Sequence, residues 1–308
     1  MRRTVHLGLS LAAVLTLFVT SAAGASAHPG GAVYMKTVKQ AHGGGGKPRS
    51  GSNLFSHGGL IEPSAKVFIV YWGPDWTSSS YNASKSYVEG FFGHVGGSSW
   101  AGSTTQYCQG VPSGTVQCGT SGVHPSNPAS ELASTWNDTS ALPGSITQSS
   151  IAAEATRAMQ QVFGYDQSAD YMVFTPSGHS ESGFGTQWCA YHSSTSTTRG
   201  NLSYAYIPFQ PDAGASCGAN FVNAGANGAF DGFSIVGGHE YAETSTDPFP
   251  NSGWLDGRGG ENADKCAWIS SGQGAAANVN LGGGSYAVQS LWSNAFNGGA
   301  GGCVLSYP

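Results

Sequence analysis

Over 308 residues this chain sets 17 Asp and Glu against 12 Lys and Arg, a formal charge of −5 with no basic stripe. That balance argues against a nucleic-acid or anionic-membrane partner. Only 9% of residues are charged and 47 are glycine, where an average domain is about a quarter charged. Ser, Thr, Asn and Gly take the place of a salt-bridged surface, as in exported proteins with long loops.

Arg2 and Arg3, an apolar run from Val5 to Val19 and then Ala25-Ser26-Ala27 have the layout of a secretory signal peptide over residues 1–27. The run is too short and too early for a membrane span, and no later stretch approaches the roughly 20 apolar residues that a span needs. Cleavage would leave a net charge of −7. The six cysteines all lie beyond that point and suit three disulfides in an oxidising compartment. Local order favours Cys108 with Cys118, Cys189 with Cys217 and Cys266 with Cys303, although sequence alone leaves the pairing open. No Cys-x-x-Cys pair supports a zinc knot.

Residues 28–56, with Gly43 to Gly46 and Pro48 to Ser52, lack an apolar face to bury and read as a flexible arm. Residues 57–308 read as one domain. Lys66 to Trp72 is an apolar run ending at Gly73-Pro74, hence a buried strand. Ser80 to Val95 has helical spacing in Tyr87, Val88, Phe91 and Phe92. Ser145 to Phe163 is an amphipathic helix with Ile151, Ala155, Met159 and Val162 on one face. Asp170 to Thr175 and Leu202 to Phe209 read as strands. Gly232 to Thr246 reads as a helix stopped by Asp247-Pro248, and Tyr286 to Trp292 as a last strand. This order predicts a mixed α/β (α+β) domain with long Gly-rich loops, its mixed sheet packed on a buried central helix.

That helix carries His239-Glu240-x-x-Glu243. Positions i and i+4 share a helix face, so His239 and Glu243 can converge on one cation while Glu240 stands beside them to handle a proton. Phe233, Ile235 and Val236 before the motif, and Tyr241 and Ala242 within it, predict burial, and buried charges need partners or a metal. Downstream, Glu261 and Asp264 offer two carboxylates at i and i+3, Glu261 lying 22 positions after His239. The layout resembles the thermolysin-like metallopeptidases, whose fold is the zincin type. The resemblance implies Glu261 as third ligand and Asp264 as the group orienting His239. Asp256 and Asp247 are alternatives. A Met-turn is absent, since the last methionine is Met172.

This sequence has Glu243 where the zinc-protease pattern has a second His. Two carboxylate ligands neutralise Zn²⁺, weaken it as a Lewis acid and admit Ca²⁺ or Mn²⁺. In a peptidase Glu240 would be the general base, with His192 or Tyr191 as oxyanion donor.

Several segments in chain order resemble the exordium (phosphate-induced protein 1) family: Val67 to Gly73, Cys189 to His192, Gly238 to Glu243 with Thr246 to Pro248, Glu261 to Cys266, and Val288 to Ser293 before Cys303. The resemblance covers roughly residues 57–308. It implies export and a one-domain layout and attaches no enzymatic activity. Two functions are therefore expected of this sequence. One is a secreted zinc-dependent peptidase. The other is a non-catalytic extracellular protein that binds wall polysaccharide or another partner and keeps a structural metal. Either would be a monomer acting on a polypeptide or cell-wall substrate. A serine-hydrolase elbow is missing, and Gly43 to Gly46 lacks the Lys-Ser/Thr of a phosphate loop.

Overall fold

A computed structural model describes residues 31–42 and 53–307. The signal-peptide reading and the glycine run Gly43 to Gly46 fall outside the described residues. A six-stranded mixed sheet forms the centre. Its strands are β1 (Val33–Lys36), β2 (Lys66–Trp72), β3 (Leu132–Asp138), β4 (Ala169–Phe174), β5 (Trp188–Thr197) and β6 (Gly200–Ile207). They lie in the order β1-β5-β6-β4-β2-β3. From β6 to β3 all pairs are parallel, whereas β5 pairs antiparallel with both β6 and β1.

The parallel strands β2, β4 and β6 are apolar on both faces, as strands covered on both sides must be. Val67, Ile69 and Tyr71 of β2, Met172 and Phe174 of β4, and Ala205 and Ile207 of β6 face helix α1 (Asn82–Val95) and helix α3 (Asp231–Thr246). Their neighbours Val70, Trp72, Tyr171, Val173, Tyr204 and Tyr206 face Ile151, Ala155 and Ala158 of helix α2 (Gln148–Ala158). Three layers result. All 16 residues of α3 are buried, so the helix lies inside the domain, covered on its far side as well as by the sheet.

Beyond α3 the chain folds into two small ladders, β7 (Ala277–Leu281) with β8 (Gly284–Val288) and β9 (Leu291–Ser293) with β10 (Gly302–Val304). Disulfides join Cys108 to Cys118, Cys189 to Cys217 and Cys266 to Cys303, the pairing that local order favours. Among the described residues no helix is long and apolar enough to cross a membrane.

Several elements differ from their sequence reading. Part of the expected arm is ordered: Val33–Lys36 completes the sheet against β5, with Met35 fully buried, and Phe55–Ser56 pairs with Trp254–Leu255. Four residues of β1 suffice because β5 supplies the other half of the ladder. The strand β5 itself has no sequence signal, since its second half is a Ser/Thr run without alternation. β3 was likewise unexpected. The helix expected over 145–163 begins at Gln148, where Thr147 and Ser150 form a capping box, and loosens into a π turn at Met159–Phe163. The strand expected from Tyr286 to Trp292 breaks in two at Gln289-Ser290, because both polar side chains turn inward to hydrogen-bond partners.

Candidate metal centre

Helix α3 delivers the motif to the face turned toward β5 and the loop 256–266. The i, i+4 spacing works as expected: His239 Nε2 stands 3.0 Å from Glu243 Oε1. Asp264 Oδ1 lies 3.8 Å from the same nitrogen. Ligand atoms of His239, Glu243 and Asp264 all fall within 4.8 Å of one another, as do those of His192, Glu240 and Glu243. A cation accepting several of these atoms would fit either set.

Two glycines let the helix sit so deep. A Cβ on Gly237 would come within 3.2 Å of Phe92, and one on Gly238 within 3.1 Å of Trp100 and 3.2 Å of Phe91. The mid-helix pair costs propensity, about 1 kcal/mol per glycine. In exchange three buried aromatics close on the helix backbone.

The loop carrying Glu261 and Asp264 is tied to α3 at several points. Asp264 N–H donates to Glu243 Oε1 at 2.9 Å, and the Asn262 amide donates to Ala242 C=O at 2.7 Å and to Thr246 Oγ1 at 2.9 Å. Asp256 accepts from Gly260 N–H and from Lys265 Nζ at 2.8 Å. Asp247 accepts from the N–H groups of Asn251, Ser252 and Gly253. Those two carboxylates, the alternative third ligands, are thus engaged in shaping the loops at either end of the motif.

The structure distributes the remaining site residues differently from the thermolysin-like mapping. Asp264, on the Nε2 side of His239, joins His239 and Glu243. The Nδ1 side of His239 belongs to Gln289, whose Oε1 lies 3.0 Å away. Gln289 is itself fixed by donating to Ala263 C=O at 2.8 Å. Glu261 instead turns to His192, its Oε2 3.0 Å from Nε2. His192 also lies 3.5 Å from Glu243 Oε2. Tyr191 is adjacent in β5 and so points to the opposite face; its hydroxyl donates to Glu181 at 3.1 Å. It is therefore remote from the centre, and of the two expected oxyanion donors only His192 is present.

His192, His239, Glu240, Glu243 and Glu261 are all fully buried. The Asp264 side chain alone among the six reaches solvent, at 31% exposure. Burial works to deprotonate His239, but the carboxylates of Glu243, Glu240 and Asp264 outweigh it and lift its pKa to about 10. Burial lowers His192 to about 4 against the pull of Glu243. Burial would raise Glu243, yet His239 and His192 hold it below the ordinary range. Burial pushes Glu240 and Glu261 well up, with Glu243 adding to both. Asp264 rises to about 7, first by burial and then by Glu243.

A bound cation would answer this imbalance. Glu243 Oε2 and both Glu240 oxygens are buried with no hydrogen-bond partner among the described residues, and a buried carboxylate without a partner is costly. Imidazole and carboxylate are donors that zinc takes, and the carboxylates also suit Ca²⁺ or Mn²⁺. Cys108, Cys118 and His124 also lie together, but the two sulfurs are bonded to each other and offer no thiolate. The surface recess between α2 and Ser194, Thr195 and Tyr204 is on the other side of the sheet.

Comparison with known proteins returns nothing: no protein family, no curated protein and no solved structure matches this chain.

Proposed function

We propose that this is an exported metal-dependent peptidase in which His239, Glu243 and Asp264 hold a divalent cation, zinc by preference, and Glu240 is the general base. The observation that carries the reading is Glu240 itself. Its carboxylate is fully buried, has neither oxygen bonded among the described residues, and comes within 4.8 Å of ligand atoms of His192 and Glu243. Beside the cation held by His239, Glu243 and Asp264, and outside that ligand set, such a carboxylate is placed to handle a proton. When bound, the cation would supply an acidified water and polarise a peptide carbonyl. Glu240 would take the proton from that water and deliver it to the leaving amine. His192, with Nε2 turned to the same cluster, is placed to donate to the developing oxyanion. Gln289 holds the His239 ring in position. The three disulfides and the signal-peptide layout support export, as does the resemblance to the exordium family.

Glu240→Gln tests it. A general base is worth typically ~10²–10⁴-fold in rate and binds no cation. Casein hydrolysis should therefore fall by that factor with metal content unchanged, and chelator should abolish the wild-type rate. Purified protein that holds metal yet shows no chelator-sensitive hydrolysis would overturn the peptidase reading. One observation favours the second reading, a non-catalytic extracellular protein with a structural metal: five of the six side chains are sealed from solvent and only Asp264 is reached. Structural sites are closed in this way. That outcome would leave wall polysaccharide as the ligand to test.

A further inference from the structure

Glu243 stands between two similar half-sites. Its Oε1 lies 3.0 Å from His239 Nε2, which also faces Asp264 Oδ1 at 3.8 Å. Its Oε2 lies 3.5 Å from His192 Nε2, which also faces Glu261 Oε2 at 3.0 Å. On each side one imidazole nitrogen meets oxygens of two different carboxylates. Such a nitrogen has a single N–H and can serve only one of them as donor. Ligands 2.0–2.2 Å from a shared tetrahedral ion stand about 3.3–3.6 Å apart, and the four separations bracket that range.

Charge gives a second, independent argument. Glu240, Glu243, Glu261 and Asp264 bring four carboxylates into a volume where all but Asp264 are fully buried. With one divalent cation two of the four must stay protonated, because each uncompensated buried charge is expensive; Asp247, beside Glu261, has its own compensation in three backbone N–H groups. Two divalent cations balance the four. Glu240, unbonded and within 4.8 Å of ligand atoms of His192 and Glu243, lies against the same half-site and supplies the fourth charge.

We infer that the centre is dinuclear: a second divalent cation sits between His192, Glu261 and Glu243 Oε2, with Glu243 bridging it to the cation held by His239 and Asp264. This extends the proposed function and rests on the first cation site argued there. It changes the chemistry available, because one cation could acidify the attacking water while the other polarised the peptide carbonyl oxygen, the amine still leaving with the proton from Glu240. It also recasts His192 as a ligand in place of an oxyanion donor.

The test is Mn²⁺ reconstitution of the metal-stripped protein, read by elemental analysis and by electron paramagnetic resonance. Two Mn²⁺ per chain with a multiline spectrum of an exchange-coupled pair are expected. His192→Gln and Glu261→Gln should each reduce the count to one and leave the spectrum of an isolated ion. The wild-type count and coupling need no variant, so a poorly folding variant does not remove the test. One Mn²⁺ per wild-type chain would overturn the second site and leave the first standing. None would overturn both. Two uncoupled ions, or two retained in both variants, would also overturn the bridged centre.

Discussion

At the scale of single residues, the centre turns on a competition between protons and a cation for the same atoms. His239 in the metal-free protein is lifted to about 10 despite its burial, by Glu243, Glu240 and Asp264. It is therefore protonated at neutral pH, and a cation must displace that proton to reach Nε2. Affinity should rise with pH, about tenfold per pH unit for one displaced proton below the raised pKa. Zinc titration against a competing chelator between about pH 6.5 and 7.5 checks the slope; a flat profile would show that His239 is not a ligand. His239→Ala should lose the cation and any hydrolysis together, in contrast to Glu240→Gln.

The His-Glu-x-x-Glu spacing, the burial of the motif and the relevance of Glu261 and Asp264 were legible in the sequence, because helical periodicity fixes which side chains share a face. The roles of the downstream carboxylates were not. Which of two acids three residues apart meets His239 depends on how Asn262 and the Asp264 N–H dock the loop on α3. No local pattern records that docking. Gln289 was equally hidden, since it reaches His239 across 50 residues of chain.

At the scale of elements, the fit of α3 under α1 rests on Gly238. Gly238→Ala would gain about 1 kcal/mol of helix propensity. The new methyl would meet Trp100 at 3.1 Å and Phe91 at 3.2 Å, and overpacking of this kind costs typically ~1–3 kcal/mol. Trp100 cannot yield freely: it is buried, and its Nε1–H donates to Gln289 C=O at 2.8 Å. Movement there would reach the residue that positions His239. The variant should lose about 1 kcal/mol in urea unfolding and retain metal less well; a more stable Gly238→Ala would sink the argument.

The loop 256–266 invites a parallel experiment, because Cys266 lies two residues after Asp264 and is bonded to Cys303. That bridge spans 37 residues, for which the chain-entropy model gives about 4 kcal/mol. Cys108–Cys118 spans only 10 and is remote in sequence from the motif. Replacing Cys266 and Cys303 by Ser should weaken metal retention against chelator more than replacing Cys108 and Cys118. Equal retention would mean that the hydrogen bonds from Asn262 and Asp264 hold the loop unaided. Strands showed the opposite limit of sequence reading: β2, β4 and β6 announced themselves as apolar runs, whereas β1, β3 and β5 are edge or Ser/Thr-rich strands whose pairing comes from neighbours far along the chain.

At the scale of the whole molecule, the domain concentrates acid groups in its interior while leaving its surface poor in charge. Beyond the centre, Glu62, Glu131 and Asp170 are also buried, on the side of the sheet that α3 covers. Burial pushes Glu62 well above the carboxylate range, with Asp170 and Glu131 adding to it. Burial likewise lifts Glu131 to about 7 and Asp170 to about 8. Between the ordinary carboxylate range and those values the folded chain binds more protons than the unfolded one, so stability falls as pH rises through that window. His239, raised to about 10, acts in the same direction above its ordinary value. His192, lowered to about 4, acts in the opposite one, since its contribution is lost as pH falls. The raised carboxyls, which also include Glu240, Glu261 and Asp264 of the centre, and His239 together outweigh His192. The metal-stripped protein should therefore melt at a higher temperature near about pH 5.5 than near about pH 8, and reloading with cation should narrow the difference by compensating the carboxylates at the centre. Calorimetric melting of stripped and reloaded protein at both values decides it. A stripped protein that melts higher at the alkaline value would mean that Glu62, Glu131 and Asp170 are ionised in the fold.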